Sequence, residues 1–166
     1  MSIHNQTLLN DAGILHLEDA SVVMISTEWN DAVTNELVAG CERILERYKI
    51  SRVTKHQVPG AFELPFACKQ YWEATKGTGQ QPGAIIAFGC VVRGGTPHFE
   101  YVCDAVTTGI TQLNLELPVP VIFGILTVDN MQQATDRLGG PHGHKGEEAA
   151  ITALKMIAFQ RELRKK

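Results

Sequence analysis

Two patterns of apolar residues alternate along the chain: short, nearly unbroken runs, and longer stretches in which apolar residues recur every three or four positions. Ser21 to Ile25 is the first run and predicts a buried strand. From Asn30 the helical period takes over. Val33, Leu37, Val38, Cys41, Ile44, Leu45 and Tyr48 fall on one face, with Asn30 or Asp31 placed to cap the helix. A second strand is predicted over Arg52 to Val58. A Pro59-Gly60 break and a helix from about Phe62 to Thr75 follow, in which Pro65 is tolerable because it lies near the start.

The cycle continues after a loop, Lys76 to Gly83. Ala84 to Val92 predicts a strongly apolar strand, and Arg93-Gly94-Gly95-Thr96-Pro97 a turn. The next helix carries Tyr101, Val102, Ala105, Val106, Ile110 and Leu113. Pro118 and Pro120 precede a fourth strand, Val121 to Thr127. A short helix from about Asn130 then stops at Gly139-Gly140-Pro141, and a final helix runs from His144 to about Leu163. Glu147 and Glu148 near its start and Arg161, Arg164, Lys165 and Lys166 at its end suit the helix dipole.

Strands alternating with helices, each strand a near-continuous apolar run, imply a parallel sheet covered on both faces. The expected fold is α/β, a three-layer sandwich with a four-stranded parallel sheet. Residues 1–19 lack a sustained period and are expected to form an N-terminal arm ahead of one domain over 20–166.

Charge narrows the partners. Fifteen Lys and Arg against eighteen Asp and Glu leave −3, which offers no electrostatic footprint for nucleic acid or an anionic membrane. Small molecules and other proteins are favoured. Cys41, Cys68, Cys90 and Cys103 are widely spaced in apolar stretches without a C-x-x-C pair, as reduced buried thiols would be. With no basic-then-apolar leader and no apolar run near the roughly 20 residues a bilayer requires, a cytoplasmic protein is expected.

In a parallel sheet, ligands bind beyond the carboxyl ends of the strands, so the residues there are the candidates for chemistry. Trp29 follows the first strand and Phe62 the second, and the pair would sandwich a flat heterocycle between aromatic faces. Gly94 and Gly95 allow close backbone approach, while Thr96 and Pro97 suit the N-cap and first helical position, a geometry that binds anions. His98 then lies in the first helical turn beside that anion, with an imidazole suited to proton transfer near neutral pH. Each residue also fits an ordinary role: core packing for the aromatics, a tight turn for the glycines, a surface position for the histidine. His142 and His144 form an H-x-H without the Cys, Asp or Glu cluster that zinc requires. Arg137 and Lys145 flank a glycine-rich bend and are either solvated charges or anion ligands.

These residues stand in ordered motifs: Trp29-Asn30; Val58-Pro59-Gly60-Ala61-Phe62-Glu63-Leu64-Pro65; Gly89 through Val102; Pro120 through Thr127; and Arg137 with Lys145 in the bend. In these motifs, from about Ser21 to Phe159, the chain resembles the lumazine synthase family. The resemblance implies a flavodoxin-like fold and a transferase reaction in the penultimate step of riboflavin biosynthesis. In that step 5-amino-6-(D-ribitylamino)uracil condenses with 3,4-dihydroxy-2-butanone 4-phosphate, releasing 6,7-dimethyl-8-ribityllumazine, phosphate and water, with no cofactor and no metal. Carried over by position, Trp29, Asn30, Ala61, Phe62, Glu63, Val91 and Val92 would bind the pyrimidine and ribityl chain, with Phe123 and Lys145 reaching the pocket from a neighbouring subunit. Gly95, Thr96 and Arg137 would hold the phosphate, and His98 would be the catalytic proton-transfer residue.

The resemblance also implies self-association. Family members are built on pentamers, some stacking into decamers and others closing into icosahedral shells of sixty subunits, with active sites at subunit interfaces. Riboflavin synthase is a candidate protein partner. The bend from Gly139 to His144 has the length found in the shells but lacks their frequent Lys and Asn. Trp29 stands where many members carry Phe, Gly95 where alanine is common, and Pro97 where Thr is frequent. Three alternatives remain open at this point: a pentameric archaeal-type riboflavin synthase, a flavodoxin-like binding or signalling module, and an inactive shell protein.

Overall fold

The computed structural model describes residues 10, 12–14 and 16–165. Its main sheet has four parallel strands: β1 (Ser21–Thr27), β2 (Arg52–Val58), β3 (Ala84–Val92) and β4 (Val121–Val128), in the order β2-β1-β3-β4. Five helices connect and flank them: α1 (Asp31–Arg47), α2 (Leu64–Thr75), α3 (His98–Glu116), the short α4 (Met131–Thr135) and α5 (Lys145–Arg164).

The pleat divides the apolar residues between two cores, because successive strand side chains point to opposite faces. On one face Val22, Met24, Ile86, Phe88 and Leu126 pack against Leu37, Cys41 and Leu45 of α1 and Ala150 and Leu154 of α5. On the other, Val23, Ile25, Ile85, Ala87 and Ile125 meet Leu64 and Cys68 of α2 and Val106, Ile110 and Leu113 of α3. The result is the expected three-layer α/β sandwich, consistent with a flavodoxin-like fold.

Strand β2 departs from the apolar pattern. Thr54, Lys55, His56 and Gln57 are exposed because the strand lies at the sheet edge, where Lys55 reaches Glu42 at 2.7 Å. Charged residues on an edge also discourage unwanted strand pairing. Ile14 and Leu17, inside the segment expected to be an arm, are buried in the α1/α5 core. Residues 1–9, 11 and 15 of that segment lie outside the described residues.

Several boundaries differ from the sequence expectation. Asn30 precedes α1 but makes no side-chain cap; its backbone is left-handed, φ 60°, and its amide goes elsewhere. The second helix opens with a short 3-10 turn, Ala61–Glu63, before α2 begins. Helix α3 starts one residue later than expected, with Pro97 rather than Thr96 at the N-cap position and His98 as its first residue. Tyr101 is 73% exposed, so it does not belong to the buried face of α3. The Gly139-Gly140-Pro141 stop is the tip of an antiparallel ribbon, β5 (Leu138–Gly140) with β6 (Gly143–His144). His144 is consequently the N-cap of α5 instead of its first residue.

Candidate active site

The chain turns from building outward to building inward between β1 and β3. From β1 it moves to β2 on one side, then crosses back to β3 on the other. Such a switch point opens a crevice at the carboxyl ends of the strands. A cleft of about 470 Å³ lies there, lined by Thr27, Trp29, Asn30, Ala61, Phe62, Glu63, Cys90, Val91, Val92, His98 and Val102.

Each wall has a local cause. Trp29 is carried out of β1 by backbone bonds to the segment after β2: the Glu28 N–H donates to the Val58 carbonyl at 2.8 Å and the Trp29 N–H to the Pro59 carbonyl at 3.1 Å. The Asn30 side-chain amide donates to the Cys90 carbonyl at 2.8 Å, tying the end of β1 to β3. Glu63 turns back on its own segment, one carboxylate oxygen accepting from the Gly60 N–H at 3.0 Å. That bond orients the carboxylate at the cleft wall and leaves its second oxygen for a ligand. Trp29 and Phe62 remain 63% and 61% exposed. Large aromatics left this open beside a cleft offer apolar faces to a flat ligand.

His98 lies on the same cleft as the first residue of α3, where backbone N–H groups have no intrahelical partner. The turn before it is exposed, and a Cβ at Gly94 or Gly95 would meet nothing within 4 Å. Among the described residues none crowds these two glycines, so the turn is open to a ligand. Its start is braced: the Arg93 N–H donates to the Val128 carbonyl at 2.9 Å, its guanidinium pairs with Asp129 at 2.7 Å and with Glu100, and it lies 4.1 Å from the Phe99 ring centre. This brace was not anticipated. Its parts come from three segments, and only the steps from Arg93 to Phe99 and Glu100, six and seven residues on, are local.

Cys90, also at the cleft, is no candidate nucleophile, because burial pushes its thiol up to about 11. Thr27, Cys90 and Val102 are lining residues that the sequence argument missed. Val102 was legible in principle, since it stands four residues after His98 on the same helical face.

The remaining candidates lie elsewhere. Gly95, Thr96, Phe123, Arg137 and Lys145 do not line this cleft. Phe123 is half-buried on β4, on the α2/α3 side. Arg137 immediately precedes the ribbon and Lys145 begins α5. There Glu148 lies 3.0 Å from Arg137 and 3.8 Å from Lys145, and Arg137 also donates to the His142 carbonyl. Among the described residues no cluster of three or more His, Cys, Asp or Glu could hold a metal, and no helix is long and apolar enough to cross a membrane.

The chain matches the family model described as 6,7-dimethyl-8-ribityllumazine synthase over residues 19–161. It is similar to the 6,7-dimethyl-8-ribityllumazine synthase of Parabacteroides distasonis, 46% identical over 143 residues that cover 85% of this chain and 86% of that protein. It is 42% identical over 164 residues to the protein of the same name from Phocaeicola vulgatus, covering 98% and 95% of the two chains. The Porphyromonas gingivalis protein of that name is 46% identical over 146 residues, covering 87% and 88%. With a match of that length and identities of that size, the chain belongs to the 6,7-dimethyl-8-ribityllumazine synthase family.

Proposed function

We propose that the chain condenses 5-amino-6-(D-ribitylamino)uracil with 3,4-dihydroxy-2-butanone 4-phosphate, giving 6,7-dimethyl-8-ribityllumazine, phosphate and water in riboflavin biosynthesis. The observation that carries this reading is the single cleft shared by Trp29, Phe62, Glu63 and His98 at the sheet's switch point. Trp29 and Phe62 present apolar faces to the pyrimidine, and Ala61, Val91 and Val92 close around its edge. Asn30 holds the wall, and the open oxygen of Glu63 accepts from ribityl hydroxyls.

The chemistry asks for orientation more than for a nucleophile. The arylamine of one substrate attacks the ketone of the other with loss of water, phosphate leaves by elimination, and the ribityl-bearing amine closes the ring on the remaining carbonyl with loss of a second water. His98 moves the protons for imine formation and elimination. Gly95 and Thr96 supply phosphate donors at the open turn, and Arg137 adds the positive charge.

Arg137, Lys145 and Phe123 lie off the cleft of their own chain, so in this reading they serve the cleft of a neighbouring copy. A pentamer with shared sites meets that need. Exposed Phe62, Phe66, Tyr101 and Leu115, all on the α2/α3 layer, are apolar surface of the kind that subunit contacts cover. The bend length favours assembly of pentamers into a sixty-subunit shell, and riboflavin synthase, which consumes the product, is the candidate protein partner. A cytoplasmic location agrees with the four free cysteines, three of them buried.

The test mixes purified protein with both substrates and follows lumazine absorbance and fluorescence, beside an enzyme-free control and an incubation with lumazine alone. Enzyme-dependent lumazine formation is expected. Consumption of lumazine alone would instead identify a riboflavin synthase, and a folded oligomer inert in both would be a binding or shell protein.

A further inference from the structure

We propose that His144, as a neutral imidazole with its proton on Nε2, is a positioning residue that sets Arg137 for the ketone phosphate and Lys145 beside it; this rests on the function proposed above. The ring is 6% exposed and both of its nitrogens are engaged. Nδ1 lies 3.2 Å from the Gly146 nitrogen and 3.4 Å from the Glu147 nitrogen. Backbone N–H groups only donate, so Nδ1 accepts and carries no proton. Nε2 therefore holds the proton and donates it to Glu36 of α1, at 3.2 Å. One side chain thus caps α5 and fastens it to α1.

Two glycines make this possible. A Cβ at Gly40 of α1 would stand 2.1 Å from His144 Cε1 and 2.5 Å from Nδ1, inside the ring's own space. A Cβ at Gly146 would stand 2.0 Å from the Leu37 carbonyl oxygen, so the first turn of α5 touches the α1 backbone. Neither glycine has a positive φ. Gly40 makes room for the imidazole, and Gly146 lets the first turn of α5 close on α1 beside it.

The cations are tied directly to this lock. His144 pairs with Leu138 across the ribbon, and the Lys145 N–H donates to the Arg137 carbonyl at 2.8 Å. Arg137 precedes one ribbon strand and Lys145 follows the other, so a shift of His144 moves both. The surrounding charges hold the same arrangement: Arg43 reaches Glu36 at 3.2 Å and Glu147 at 3.3 Å, and Glu148 faces Arg137 and Lys145. The bond from His144, with help from Arg43, keeps the Glu36 carboxyl below its ordinary range against the opposing effect of burial.

The experiment measures steady-state constants for each substrate in His144→Leu, His144→Asn, Gly40→Ala and the Gly40→Ala/His144→Asn pair, after circular dichroism has established folding. His144→Leu should raise KM for the ketone phosphate at least tenfold through Arg137, with a clearly smaller rise in the dissociation constant of the aminouracil through Lys145. Asparagine keeps an N-cap acceptor, so His144→Asn should recover most of the ketone KM. Gly40→Ala should reproduce the ketone defect, and combining it with the smaller side chain of His144→Asn should relieve it. Equal losses for both substrates, no loss in His144→Leu, or no relief in the double variant would overturn the proposal. If His144→Leu does not fold, the comparison of Gly40→Ala with and without His144→Asn decides alone. An inactive wild type would remove the functional reading and this proposal together, whereas an active wild type with unselective variants would remove only this one.

Discussion

The Trp29 indole lies directly over Gly60. A Cβ on Gly60 would stand 2.5 Å from Cε3 and 2.5 Å from Cζ3 of that ring, closer than any real contact. The backbone of Gly60 is extended, φ −142° and ψ 178°, which alanine adopts without strain. The glycine is therefore required by the ring and not by the turn. The segment after β2 thereby sets the height of the aromatic that follows β1.

Gly60→Ala should consequently act as a mutation of Trp29. Both Gly60→Ala and Trp29→Ala are expected to weaken pyrimidine binding by about 0.5–1.5 kcal/mol, or about 2- to 12-fold, the usual worth of an aromatic contact beyond its area. The double variant should be no worse than the worse single one, since both remove the same contact. Titration of the aminouracil into each protein measures this, and additive losses would show that Gly60 acts by another route.

His98→Ala should lower kcat by about 100- to 10,000-fold, the range for loss of a general acid-base group. Exposure at the first turn of α3 leaves little packing to lose, so thermal stability should hardly change. Aminouracil affinity should hold too, because Trp29, Phe62 and Glu63 remain. Unchanged turnover would take His98 out of the mechanism.

The brace at Arg93 gives a pH prediction. Hydrogen bonds from Arg93 hold the carboxyls of Glu100 and Asp129 below their ordinary values. A lowered folded-state pKa contributes stability above the unfolded-state value, lost as pH falls through the folded one. Arg93→Gln should therefore be less stable than wild type at pH 7, with the difference shrinking as pH drops from about 4.5 toward 3. The charges are well exposed, so the gap should also narrow in high salt. Thermal melts across that range measure it, and a gap that widened with acid would refute the assignment.

In the core, Gly124 of β4 makes room for Phe88 of β3, two residues paired across the ladder. A Cβ at 124 would come 2.6 Å from the Phe88 ring and 2.9 Å from the Ala87 carbonyl oxygen. Gly124→Ala should cost about 1–3 kcal/mol as overpacking. Trimming the ring in Gly124→Ala/Phe88→Leu should recover part of the loss, the backbone oxygen keeping the rest. A double variant that loses the full sum of the singles would show that the ring is not what Gly124 accommodates.

Much of this arrangement was legible along the chain. The strands β1, β3 and β4 were visible as apolar runs and α1 as a helical period, because pleat and helix impose short repeats on neighbouring residues. The site candidates at the ends of β1 and β3 followed from the same reading, since a parallel sheet directs its ligands there. Even β2, polar as Thr54 to Gln57 are, was expected at Arg52 to Val58 as the next strand of the repeating cycle.

What only the tertiary structure decided are the pairings with no local repeat to announce them. Asn30 read, with Asp31, as one of two candidate helix caps, yet its amide serves Cys90, 60 residues away. His144 read as half of an H-x-H, yet its ring occupies the space left by Gly40 and bonds to Glu36, 108 positions earlier. Hydrophobic period and turn chemistry are properties of residues a few positions apart, so the sequence by itself determined the four main strands, the helices between them, their order and the ends where chemistry collects. Which polar group meets which is chosen after strand order and helix packing bring distant segments together, and the need to satisfy every buried donor and acceptor then leaves few alternatives.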